Sequence, residues 1–186
     1  MSTQAAVAER LHTYTIDPSH SQIGFKVRHL GFSKVRGRFD EFSGTVRMAP
    51  SQLATLKAEA VINAASVNTG VDDRDEHLRS GDFFDVEAYP KLTFEATEVR
   101  EVSAYAFTLV GALTLHGVTR PVELDAVFLG EAEDPWGGRR IAFEAETTIS
   151  RKDFGLTWNS VLETGGLLVG EDVEISLEVQ AVLEQD

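Results

Sequence analysis

From Ile23 onward the chain alternates apolar and polar residues with a period of two, and this alternation limits what it can fold into. Ile23, Phe25 and Val27 are apolar while Gly24, Lys26 and Arg28 between them are not, the pattern of a strand with one buried face. Past Gly31 the alternation resumes, with Val35, Gly37 and Phe39 on one side and Arg36, Arg38 and Asp40 on the other, so the two runs read as an antiparallel pair. At Asp40-Glu41-Phe42 the phase slips by one residue to an inward set of Phe42, Gly44, Val46 and Met48, which predicts a bulge. Similar runs continue through Ala58 and Ala60, Leu92 and Phe94, Phe107 to Leu115, Val122 to Phe128, Phe143 to Ile149, and Val173 to Val179.

Counted from Ile23 as eight runs, with the bulged stretch 35–48 taken as one, short connections and no repeated strand, helix, strand rhythm, the pattern predicts an all-β fold. Closing eight antiparallel strands removes their exposed edges, so the expected architecture is an eight-stranded antiparallel β-barrel. An interior of that size either just fills with side chains or holds one small ligand. The inward positions mix Phe25, Phe39, Phe94, Phe107 and Phe143 with Gly37, Gly44, Ala58, Ala60, Ala96, Gly111, Ala126 and Ala145. Small residues of this kind suit a cavity or a taper, and the pattern leaves both open.

Two stretches break the alternation. One short helix is expected around residues 72–80, with Asp72 or Asp73 as its cap and Asp75 and Arg79 four apart on one face. Phe83 and Phe84 follow as an apolar pair suited to pinning the loop against the barrel. The other stretch, residues 150–170, has no clear period, and a loop that long in a compact domain is usually functional or disordered.

The 186 residues suit one domain, expected over 13–184 behind a flexible tail at 1–12. Without cysteine there are no disulfides and no thiolate chemistry. The net charge of −13 repels phosphate backbones and anionic headgroups, which argues against nucleic acid as a partner. No apolar run is long enough to span a membrane, and the first ten residues lack the pattern of an export signal, so a cytoplasmic location is expected.

Catalytic machinery is not assembled in the sequence. His12, His20, His29, His77 and His116 lack metal-ligand spacing, so no metal is expected. No nucleophile elbow is present, and the glycine pairs at 137–138 and 165–166 are turn chemistry. The one dense cluster of acid–base groups is Asp72-Asp73-Arg74-Asp75-Glu76-His77, whose enzyme reading would make His77 or His20 a general base beside Asp75.

Six motifs stand in order along nearly the whole chain: Tyr14-Thr15-Ile16-Asp17-Pro18-Ser19-His20-Ser21, Val35-Arg36-Gly37-Arg38-Phe39, Arg74-Asp75-Glu76-His77-Leu78, Asp82-Phe83-Phe84-Asp85, Leu113-Thr114-Leu115-His116-Gly117 and Arg151-Lys152-Asp153-Phe154-Gly155. In these motifs the chain resembles the YceI-like, polyisoprenoid-binding family of lipocalin-like barrels. The resemblance implies an apolar tunnel holding a long-chain isoprenoid lipid or quinone, for carriage, storage or sequestration, with no other cofactor and no catalysis. A fatty acid or fatty amide in the same tunnel is the alternative, and a homodimer is implied as well. Its wall is expected from Ile23, Phe25, Val27, Phe39, Phe42, Val46, Ala58, Ala60, Phe94, Phe107, Leu109, Leu113, Phe143 and Ile175. Phe83, Phe84, Phe154 and Trp158 are the expected mouth or gate. His20, Arg74, Asp75, His77, Arg151 and Asp153 are expected to form a structural polar clasp.

Overall fold

The computed structural model describes residues 10–50 and 52–184. Most of the tail expected at 1–12 lies outside the described residues, and His12 already begins the first strand. The strands are β1 (His12–Ile16), β2 (Gln22–His29), β3 (Ser33–Phe39), β4 (Phe42–Ala49), β5 (Gln52–Asn63), β6 (Val67–Asn68), β7 (Lys91–Ser103), β8 (Ala106–Leu115), β9 (Val118–Glu133), β10 (Arg139–Ser150) and β11 (Val169–Leu183). The α-helix α1 (Asp72–Arg79) lies between β6 and β7.

Eight strands close an antiparallel barrel in the order β1, β4, β5, β7, β8, β9, β10, β11 and back to β1. They are not the eight counted from Ile23. The short β1, carried by the motif around Tyr14, pairs with both β4 and β11 and so closes the ring. Strands β2 and β3 instead continue from β11 as a flap, with β6 on its far side.

The hand-over occurs along one edge of β11. Residues Ala181 to Leu183 pair with β1, the Ser21 hydroxyl donates to the Gln180 carbonyl and accepts from the Gln180 N–H, and from Glu178 onward the partner is β2. The phase slip at Asp40-Glu41 marks a change of partner rather than a bulge within one strand. Before it, β3 pairs with β2 and β6; after it, β4 pairs with β1 and β5.

Asp17 fastens this seam. Its carboxylate accepts from the Ser19 N–H at 2.9 Å and pairs with Arg140 at 2.7 Å and His20 at 2.8 Å. The Arg140 hydrogen bond, with His20 and the Ser19 N–H adding to it, holds the Asp17 carboxyl at about 2 against an ordinary 3.8. Because the unfolded chain takes up this proton first, Asp17 contributes stability above pH 3.8 that is lost as pH falls toward 2. An Asp17→Asn variant should therefore melt below the wild type at neutral pH. Melting curves followed down the acid limb should show the gap closing over that window, and a gap constant with pH would rule the linkage out.

The interior has two ends of different character. At the end closed by β1, Tyr14, Val46, Met48, Leu56, Phe107, Ile141, Phe143 and Ala181 form a buried, filled core. At the other end, inward residues of β2 and β3 such as Ile23, Phe25 and Val35 are only half-buried, as expected where an inward face meets open space.

Helix α1 is capped by neither Asp72 nor Asp73. Val71 occupies the cap position, and the two aspartates lie in the first turn, where they complement the helix dipole. Arg79 does not pair with Asp75 either. Its guanidinium donates to the Ala65 carbonyl at 2.7 Å and the Val67 carbonyl at 3.1 Å, fastening the helix to β6.

Candidate functional site

The open end of the barrel encloses a cavity of about 350 Å³. Its wall combines the inner faces of β1 to β5 and β7 to β11 with α1 and residues of the two aperiodic stretches. Ile23, Phe25, Val27, Phe39, Phe42, Ala60, Phe94, Leu113 and Ile175 from the expected lining lie on this wall. Val46, Phe107, Leu109 and Phe143 do not, because they belong to the filled core at the β1 end, and Ala58 packs against that core. Alternation tells which face a residue occupies but not its height along the barrel axis.

The wall also includes Ile62, Leu92, Leu115, Val122, Ile149 and Val173, which continue the same alternation and were within reach of pattern reading. Thr69, Leu156, Leu168 and Val169 come from segments without a period, so no local signal marks them.

Two glycines shape the lumen. Phe25 and Gly37 are cross-strand partners, and the Phe25 ring lies where a Gly37 Cβ would be, 2.3 Å from its Cζ. The Phe94 ring occupies the equivalent place at Gly111, also at 2.3 Å. Each ring thus lies back along the wall instead of projecting into the open space.

Of the expected gate residues, Phe83, Phe84 and Trp158 line the cavity, whereas Phe154 is 2% exposed and packed in the core behind it. His77, Phe83 and Trp158 form an aromatic triad, with centroid distances of 5.1 Å for His77–Phe83, 4.7 Å for His77–Trp158 and 5.3 Å for Phe83–Trp158. The second nitrogen of His77, Nε2, faces Asp82 at 2.8 Å.

The expected polar clasp is not one network but several local ones. Asp75 is buried and accepts from the Thr69 N–H at 2.8 Å and the Thr69 hydroxyl at 2.5 Å, while Arg74 donates to the Thr69 hydroxyl and carbonyl. His20 stays with Asp17 at the strand seam. Arg151 is 4% exposed and donates to the carbonyls of Leu156, Trp158, Val169 and Gly170. Asp153 meets Arg120 through its backbone carbonyl. Physically, each group is satisfied by backbone or a near neighbour in sequence, so no long-range clasp is needed. The same geometry separates the pairs that the enzyme reading requires: His77 faces Asp82 and His20 faces Asp17, while Asp75 accepts from Thr69 through Oδ1.

Residues 14–181 match the model of the YceI-like domain. A UPF0312 protein of Yersinia enterocolitica is 41% identical over 171 residues, covering 91% of this chain and 85% of the relative. Among solved structures, a Campylobacter jejuni YCEI protein superimposes with a TM-score of 0.72 at 33% identity, over 91% of this chain and 96% of that one. A polyisoprenoid binding domain from Saccharophagus degradans, implicated in plant cell wall breakdown, shares the fold with a TM-score of 0.66 at 21% identity, over 92% and 98% of the two chains. The chain belongs to the YceI-like family. Among the described residues no helix is long and apolar enough to cross a membrane.

Proposed function

We propose that the cavity takes up the apolar tail of a long-chain isoprenoid lipid, a polyprenyl chain or an isoprenoid quinone, for carriage, storage or sequestration. The observation that carries this reading is the wall itself: aliphatic and aromatic side chains over most of its surface, with the polar groups of Arg28, His29, Thr69, Arg74, His77, Thr147 and Arg151 among them. Burial of such a tail is favoured by about 25 cal/mol per Å² of apolar surface, with little discrimination between chains of similar girth. The cavity volume of about 350 Å³ falls in the range of ligand pockets, roughly 300–1,000 Å³. The shared fold of the Saccharophagus degradans domain supports the choice of an isoprenoid over a fatty acyl chain.

Native mass spectrometry of gently purified protein, with solvent extraction of any retained lipid, tests this reading. A co-purifying isoprenoid, or uptake of an added polyprenol by ligand-free protein, is the expected result. A fatty acid or fatty amide in the extract would reassign the ligand, and no lipid together with no uptake would sink the reading. Trp158 supplies a second readout. Of the two tryptophans, Trp136 is 86% exposed while Trp158 lies on the cavity wall, so in a Trp136→Phe background polyprenol should shift Trp158 emission to the blue in a saturable way. An unchanged spectrum in protein that mass spectrometry shows to be loaded would place the tail away from this wall.

A further inference from the structure

The β2–β3 hairpin reverses the charge of the molecule. The chain has 30 acidic residues against 17 basic ones, yet the segment from Gln22 to Phe39 contains five Lys and Arg and no Asp or Glu. The strand register sets Lys26 directly opposite Arg36, and Arg28 directly opposite Lys34. Like charges in facing positions destabilise a sheet. Among the described residues the one carboxylate ion-paired within this group of four is Glu174, held by Lys34. The Lys34 hydrogen bond, with Lys26 and Arg28 adding their charge, keeps the Glu174 carboxyl below its usual range.

Protection of an exposed strand edge accounts for part of this charge, since β3 is covered by β6 only at Arg38 and Phe39. It does not account for Lys26 and Arg28, which lie on β2 between two paired neighbours. Nor does it account for the hairpin tip, where Phe32 is 79% exposed beside a part-exposed Leu30.

The tip does not stand alone. The Leu30 N–H donates to the Leu168 carbonyl at 2.9 Å, tying the hairpin to the 156–168 loop. That loop presents Val161, 78% exposed, and Leu167, bridged to each other. Both segments also line the cavity, through Arg28, His29 and Val35 on the hairpin and Trp158 and Leu168 on the loop. Exposed apolar residues backed by cations therefore stand on the segments that wall the open end.

From this juxtaposition we infer that the β2–β3 hairpin and the 156–168 loop form a docking surface for an anionic lipid bilayer. Phe32 and Val161 enter the headgroup boundary, and Lys26, Arg28, Lys34 and Arg36 hold the anionic headgroups. Apolar tips combined with local cations are what interfacial binding requires. The overall charge of −13 repels an anionic membrane at long range, but salt screens that repulsion beyond about 8 Å at physiological ionic strength, and at contact the membrane meets the local patch. The 156–168 loop itself adds one exposed carboxylate, Glu163, and Glu171 at the start of β11 is ion-paired with Lys152, while Asp125, Glu144, Glu146 and Glu178 lie on the outer face of β9 to β11, so cations still outnumber free carboxylates on the hairpin and loop. The most exposed aromatic, Trp136, sits beside Asp134 in the turn at the opposite end, where the nearest cations, Arg139 and Arg140, are ion-paired with Glu131, Asp17 and Asp134.

The docking surface would serve the cavity by placing its open end on the lipid source, and in that sense it rests on the proposed function, but its test does not. Co-sedimentation with vesicles of phosphatidylcholine alone, and with about a third phosphatidylglycerol, reads attachment of protein to membrane. Lipid merely withdrawn into the cavity leaves the protein in the supernatant and is read by mass spectrometry instead. Wild-type protein should bind the anionic vesicles roughly tenfold more tightly than the neutral ones, and less tightly as salt is raised. Lys34→Gln/Arg36→Gln and, separately, Phe32→Ser should each weaken that binding severalfold with unchanged melting curves, while Trp136→Ala leaves it as it was. No preference for anionic vesicles, hairpin variants that bind like wild type, or loss on Trp136→Ala alone would each overturn the inference.

Discussion

Arg151→Ala is expected to lower the melting temperature by about 8–16 °C, the equivalent of about 4 kcal/mol for a chain of this length. The guanidinium is 4% exposed, and its hydrogen-bond partners are backbone carbonyls: Gly170 at 2.8 Å, Leu156 at 2.7 Å, Trp158 at 2.9 Å and Val169 at 3.4 Å. Burial pushes its pKa down, and the nearby Glu171 opposes that shift. The planar fork of arginine reaches several acceptors at once, and this is how the 156–168 loop is tied to the start of β11. Alanine removes every donor together and leaves carbonyls that water does not readily reach. Lysine keeps the charge but loses the fork, so Arg151→Lys should fall between alanine and wild type. Methionine separates the two contributions, since it removes the cost of burying a charge while still orphaning the carbonyls. Thermal denaturation followed by circular dichroism measures all three, and an Arg151→Met variant melting within about 2 °C of wild type would sink the account.

The importance of Arg151 was only half legible in the sequence. Its motif, Arg151 to Gly155, stands out in an aperiodic stretch, but nothing local says that a guanidinium will be spent on carbonyls up to Gly170 instead of on Asp75 or His77. Long-range pairing of a side chain with backbone leaves no trace in composition. The strands were legible because burial on one face imposes a period of two, and it does so wherever the sheet is closed. Strand β1 escaped that reading: within His12–Ile16 only Tyr14 is fully buried, too short a run to show a period.

The cavity shows the same division between local and axial information. Alternation assigned Phe25, Phe94, Phe107 and Phe143 to the interior alike, and all four point inward. What separates the first pair from the second is a neighbour on the adjoining strand. Phe25 and Phe94 each lie over a glycine, Gly37 and Gly111, whereas Phe107 and Phe143 pack with each other at 6.2 Å. Register decides which phenylalanine meets which glycine, and register depends on turns and bulges that a single sequence specifies weakly.

Gly37→Ala is expected to weaken polyprenol binding by at least tenfold, about 1.4 kcal/mol, while leaving the fold intact. A Cβ at this position would stand 2.3 Å from Cζ of Phe25, 2.8 Å from Cε1 and 2.9 Å from Cε2, so the ring must leave its seat. Those contacts are with the far end of a side chain and not with backbone, so the strand pair can persist. The Phe25 ring already packs against Phe39 at 5.8 Å, and the space open to it is the lumen it lines. Gly111 would test the idea less cleanly, because its Cβ would also meet the Glu95 carbonyl at 2.7 Å and strain the sheet itself. Shortening the obstructing ring should undo the block, so Phe25→Leu/Gly37→Ala is expected to regain most of the affinity that Gly37→Ala loses. Titration of Trp158 emission with polyprenol in the Trp136→Phe background gives the affinities, and melting curves report the fold. Affinity unchanged in the single variant would mean that the Phe25 ring moves without entering the space the tail occupies. Loss without recovery in the double variant would mean that alanine acts through β3, with Gly37 a strand residue and not the seat of a ring that sets the width of the cavity.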